Sequence, residues 1–139
     1  MKRDFLAAAV FLVSAAVVLL LSGCATTYHL PEQERSRSYQ ASDETVWEAA
    51  LASVDDVGLA LVEAEREHGR IQARAGGSIW DLKGHVLQVV VREVEDGRVR
   101  VDANAQTVSE DQYVDFGRSA RIVKDYLKAM DKRLKGDRG

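Results

Sequence analysis

The chain has 139 residues, a formal net charge of −3 and one cysteine. A single cysteine excludes an intrachain disulfide and a cysteine-ligated metal cluster, and the acidic balance argues against general nucleic-acid binding, which needs a basic surface. The length suits one small domain built on one core.

Lys2 and Arg3 form a short basic start, and Phe5 to Leu21 is an apolar run broken only by Ser14. Small residues and Cys24 follow, which is the layout of an export signal. The closing Leu21-Ser22-Gly23-Cys24 resembles the lipobox of bacterial lipoproteins. That resemblance implies a thioether-linked diacylglycerol on Cys24, cleavage after Gly23 and acylation of the new amino group, so that fatty chains such as palmitate anchor the protein. Small side chains before the cysteine let an extended backbone enter a peptidase site at the membrane face. Each buried methylene contributes roughly 0.8 kcal/mol and one acyl chain binds only marginally, whereas two or three hold permanently. The other reading of the run is an uncleaved transmembrane anchor, for which it is just short of the roughly 20 residues required. Ala25 stands where an aspartate tends to retain lipoproteins in the inner membrane of enteric-type bacteria. The resemblance therefore implies the outer membrane, periplasmic face, or the external face of the cell membrane in a host with one membrane.

Removing residues 1–23 from the 139 leaves 116 and takes the net charge to −4, because Lys2, Arg3 and Asp4 are lost. Residues 24–41 contain the only proline, Pro31, and no apolar period. They read as a lipidated cysteine and flexible tether that, fully extended, would reach about 55 Å. A domain over 42–136 and a short tail at 137–139 complete the chain.

Within the domain, Ser42 is an N-cap with Asp43 and Glu44 in the first turn. Trp47, Ala50, Leu51, Val54 and Val57 recur at helical spacing and Gly58 is a stop, which predicts a helix over 43–57 with Trp47 as a core anchor. Leu59 to Glu67 and Arg70 to Ala75 alternate at period two around His68-Gly69, predicting a hairpin with a two-residue turn. That register sets Glu67 opposite Arg70, Glu63 opposite Arg74, Val62 opposite Ala75 and Ala64 opposite Ala73. Glu63, Glu65 and Glu67 then form a solvated row, and His68 sits at the tip.

Gly76-Gly77-Ser78 breaks the pattern without the spacing of a phosphate loop. Trp80 follows in a loop, either as a packing plug or as an exposed recognition residue. His85 to Val94 and Arg98 to Val108 predict a second hairpin. With a three-residue loop Glu95-Asp96-Gly97 and Gly97 left-handed, Val91 faces Val101, Val89 faces Ala103, Leu87 faces Ala105 and His85 faces Thr107 on the apolar side. A last helix over 115–135 carries an apolar stripe of Phe116, Ala120, Val123, Leu127, Met130 and Leu134. Its other face carries Arg118, Arg121, Lys124, Lys128, Lys132 and Lys135. From Asp115 onward there are eight Lys/Arg against four Asp, so the last helix is the basic part of an acidic protein.

The order predicts an α+β fold: a helix, two hairpins forming a four-stranded antiparallel sheet, and a closing helix, with both helices on one face. The layout Thr45-Val46-Trp47-Glu48-Ala49-Ala50, Val57-Gly58-Leu59 and Gly69-Arg70-Ile71-Gln72-Ala73, with Gly117 to Ile122 opening the last helix, is similar to small bacterial outer-membrane lipoproteins of unassigned function. More loosely, it resembles the repeated domain of the C lipoprotein of the β-barrel assembly machine. The similarity covers about residues 42–135 and implies a fold, not catalytic residues.

The functional expectation is a non-catalytic envelope lipoprotein that binds or scaffolds a periplasmic partner, held to the membrane through lipid on Cys24. Trp80, Arg118, Arg121 and Lys128 are its candidate contacts, and neither a metal nor another cofactor is expected. The alternative is a carrier or sensor of a small apolar ligand, held where Ala60, Ala64, Ala73, Ala75, Ala103 and Ala105 line the inner face. Catalysis is not expected, because His29, His68 and His85 fall in the tether, a hairpin tip and a strand, with no paired-ligand spacing.

Overall fold

The computed structural model describes residues 30–76, 84–108 and 117–136. In chain order these form α1 (Glu32–Arg35), β1 (Ser36–Tyr39), α2 (Asp43–Asp56), β2 (Ala60–Glu65), β3 (Arg70–Ala75), β4 (His85–Glu93), β5 (Val99–Thr107) and α3 (Arg118–Gly136). The strands make one antiparallel sheet in the order β1-β5-β4-β3-β2. The α+β class and the two long helices on one face agree with the sequence pattern.

The strand count is five rather than four. The added strand, β1, comes from the stretch read as tether and pairs with β5, Arg37 opposite Val101 and Tyr39 opposite Val99. Ser-Arg-Ser-Tyr shows no apolar alternation, yet an edge strand this short needs few apolar groups. Tyr39 is buried against the core, and Arg37, on the same face, sends its guanidinium to Asp131 of α3 at 3.5 Å.

α2 starts where its cap predicts: the Ser42 hydroxyl oxygen accepts the Thr45 amide at 3.2 Å. It stops at Gly58, whose φ of +71° closes the helix end. Val46, Trp47, Ala50 and Val54 are buried from this helix. Val123, Tyr126, Leu127, Met130 and Leu134 are buried from α3. α2 packs on β4, α3 packs on β5, and the two helices pack on each other. Ile71, Ala73, Leu87, Val89, Val91, Val99, Val101 and Ala103 supply the sheet side of this core, alternating with outward residues that are polar except for Val86 and Val90 on β4.

The second hairpin has the predicted register, with Val91 opposite Val101, Val89 opposite Ala103, Leu87 opposite Ala105 and His85 opposite Thr107. Gly97 is left-handed as expected, and Asp96 joins it with φ +66°. The Val94 amide donates to the Arg98 carbonyl at 2.9 Å to close the loop.

The first hairpin differs. Its turn takes four residues, Arg66 to Gly69, and the pairing starts at Glu65 opposite Arg70, with Ala64 opposite Ile71 and, beyond a bulge at Val62, Leu61 opposite Ala73. The cause lies outside the hairpin. Gly69 abuts β4, where its carbonyl accepts the Val91 amide at 2.7 Å, and a Cβ at Gly69 would lie 2.0 Å from the Val91 carbonyl oxygen. On the other side Arg66 stacks 5.1 Å from the Trp47 ring centroid and pairs with Asp43. These contacts fix the turn and shift the register by two next to it, and by three beyond the bulge. Ala64 keeps its face, opposite Ile71, and the bulge sets Ala60 opposite Arg74; on this edge strand both stand exposed instead of lining the core, and Leu61 and Val62 are more than half exposed.

Candidate functional site

Of the sequence candidates, Cys24 and Trp80 lie outside the described residues. Arg118, Arg121 and Lys128 all project from α3 into solvent. On a helix of 3.6 residues per turn, Arg118, Arg121, Lys124, Lys128, Lys132 and Lys135 fall within an arc of about 120°, directly opposite the buried stripe. Asp125 is the acidic residue within that arc. The sequence order alone produces this segregation, because the apolar and basic positions each recur at three- and four-residue steps.

Two of the helix's cations are committed within the fold. Lys124 Nζ lies 2.9 Å from a Glu34 carboxylate oxygen of α1. Arg133, off the basic arc, donates to Asp56 at the end of α2, with Nη2 to Oδ1 at 2.7 Å. That guanidinium hydrogen bond holds the Asp56 carboxyl below its ordinary range. Lys128 and Lys132 border an open cleft of about 550 Å3 that also includes Asp56, Asp125 and Arg133.

A second cleft, of about 340 Å3, lies where β1 meets the end of α3, lined by Arg37, Tyr39, Asp131 and Lys135 among others. The Tyr39 hydroxyl donates to Asp131 Oδ1 at 2.9 Å. Burial first, and this bond to a carboxylate second, push the phenol far above its usual ionisation range, so it serves as a donor and not as a base. The pair is a structural tie between β1 and α3. Neither Tyr39 nor Asp131 was singled out from sequence, and no local pattern marks them.

On the open face of the sheet, Asp102 gathers Arg100, Arg92 and Ser36. Arg100 Nε donates to both carboxylate oxygens at 3.0 and 3.1 Å, Arg92 approaches to 3.4 Å, and the Ser36 hydroxyl donates to Oδ1. Arg100 also reaches Glu32, and this bond lowers the Glu32 carboxyl from its ordinary value. The network staples α1 and β1 to β5. A third cleft, of about 330 Å3, opens beside it between Glu32, Ser36 and Arg100.

His85 is buried near the sheet end, at 3% exposure, and His68 is exposed at the first turn, 3.3 Å from Glu65. They occupy opposite ends of the strands. None of the three clefts is lined by Ala73, Ala75, Ala103 or Ala105. Among the described residues no group of His, Cys, Asp or Glu converges as a metal site, and no helix is long and apolar enough to cross a membrane.

No protein family and no curated protein matches the chain. Among solved structures, TTHA0849 from Thermus thermophilus is similar over 75% of this chain and 97% of its own, at 14% sequence identity and a TM-score of 0.41.

Proposed function

We propose that the protein is a membrane-anchored envelope lipoprotein whose α+β domain binds or scaffolds a partner and does no chemistry of its own. The observation that carries this reading is the apolar run ending in Leu21-Ser22-Gly23-Cys24. A compact domain beginning eight residues after that cysteine supports it. The anchored cysteine holds the domain at the periplasmic face of the outer membrane, or at the external face of the cell membrane in a host with one membrane. The domain presents to solvent a basic helix face on one side and a polar open sheet on the other.

The test is the intact mass of the protein recovered from the membrane fraction. The expected species lacks residues 1–23 and carries diacylglycerol, with or without a third acyl chain, on residue 24. The Cys24→Ser variant should lack both the acyl mass and the cleavage. A protein that keeps residues 1–23 and a free thiol would instead be an uncleaved membrane anchor, and the lipoprotein reading would fall.

A further inference from the structure

The fold changes how far the anchor lets the domain stray. Read from sequence, the tether ran to residue 41. In the structure α1 begins at Glu32 and Leu30 already packs against the core. Leu30 is six residues after Cys24, so even a fully extended chain keeps the two within about 20 Å.

Where the chain enters the domain matters as much as the length. α1 packs on α3, and Glu34 of α1 holds Lys124 of α3. Arg121 and Lys128 stand one turn to either side of Lys124 and are exposed. The anchored end of the chain therefore meets the domain at the margin of its basic arc. Along the 19 residues of α3, about 28 Å of helix, Arg118, Arg121, Lys128, Lys132 and Lys135 project outward, with Asp125 between them. Five cations against one carboxylate on one helix face, in a chain of net charge −3, is a strongly polarised surface.

We infer that this outward face of α3, centred on Arg121 and Lys128, docks on anionic lipid headgroups of the bilayer that carries the anchor. The inference rests on the lipoprotein reading. Two observations select a lipid surface: the charge complements it, and the short chain from Cys24 to Leu30 delivers the face to it. Each Lys or Arg near an anionic surface strengthens attachment by about fivefold, which alone is weak. With the anchor already in the bilayer, docking is an intramolecular event, and weak contacts suffice.

The experiment uses the full lipidated protein, purified from membranes and reconstituted into vesicles of phosphatidylcholine, or of about two parts phosphatidylcholine to one of phosphatidylglycerol. The acetylation rate of the Lys132 and Lys135 amines is followed by mass spectrometry. The rate should fall fivefold or more on the anionic vesicles at about 0.05 M salt and recover at about 0.5 M, where charges are screened. The Arg118→Glu/Arg121→Glu variant, which alters only exposed positions and should keep the wild-type melting temperature, should lose the protection. Equal rates on both vesicles, with the protein still floating with them, would overturn the docking and leave the lipoprotein reading standing. Protection in native envelope membranes but not on pure lipid would point to an acidic protein and overturn the lipid assignment. Absence of acyl mass on Cys24 would overturn both readings.

Discussion

Single residues decide two features of this fold that chemistry elsewhere in the chain cannot replace. Gly69 and Gly97 both have positive φ, at +62° and +67°, but a Cβ at Gly97 meets nothing within 4 Å whereas one at Gly69 runs into the Val91 carbonyl. Gly97→Ala should cost only the left-handed backbone penalty of about 1–2 kcal/mol. Gly69→Ala must also displace β4 or the turn, so its loss in urea unfolding should exceed that of Gly97→Ala by about 2 kcal/mol or more; equal losses would refute the close packing. The second residue-scale case is electrostatic. Arg133 lowers the Asp56 carboxyl, so the folded state favours its ionised form. A depressed carboxyl contributes stability above its unfolded pKa and loses it as pH falls through the folded value. Arg133→Gln should therefore melt below the wild type at neutral pH, and the gap should close as pH drops below the ordinary aspartate range of about 4. A gap that persists in acid would mean that the arginine acts by packing alone. Trp47, the Ser42 cap and Gly97 were legible in the sequence because their roles are local. Tyr126 was not, although it extends the Val123–Met130 stripe at helical spacing, because a residue with a hydroxyl reads as peripheral until its partner is known. Its hydroxyl donates to the Ala50 carbonyl at 3.0 Å inside the helix pair.

Between elements, the two hairpins contrast. The second was readable to the residue pair, since a three-residue acidic-glycine loop leaves one register that sets Leu87, Val89 and Val91 opposite Ala105, Ala103 and Val101 on a single face. In the first hairpin the opposite charges and small residues tolerated more than one register, and the choice was made by Val91, Trp47 and Asp43, which lie far away in sequence. β1 was illegible for the same reason: its inner face is Arg37 and Tyr39, and both need Asp131 of α3. That dependence makes a prediction. Asp131→Ala removes the acceptor of the Tyr39 hydroxyl and the partner of Arg37 together, so β1 should open locally before the rest of the sheet. Amide exchange over residues 36–39 should accelerate about tenfold or more, the equivalent of losing roughly 1.4 kcal/mol of local stability. The amides of β3 and β4 should be protected as before. Uniform acceleration across the sheet would show that β1 belongs to the same cooperative unit.

For the molecule as a whole, α1 and β1 belong to the domain, so on the proposed lipoprotein reading the leash from Cys24 is short, and its length would set the strength of contact with the bilayer. The basic arc of α3 was visible as a spacing pattern, but its nearness to the point where the N-terminal segment enters the domain was not, because that depends on Glu34 meeting Lys124. If docking is intramolecular, its equilibrium constant scales with the local concentration of the face at the membrane, which falls roughly as the −3/2 power of the connecting length. A Gly/Ser insertion of about 20 residues between Thr27 and Tyr28 lengthens the connection from six residues to about 26, so the docked-to-undocked ratio should fall about ninefold. Measured as lysine protection on anionic vesicles, the loss should be graded with insert length, and a Pro-rich insert, which extends further per residue, should lose more than a Gly/Ser insert of equal length. Protection that is indifferent to the insert would mean that the face binds lipid without help from the anchor. The proximity set by α1 and β1 would then serve their packing on α3 and not the membrane.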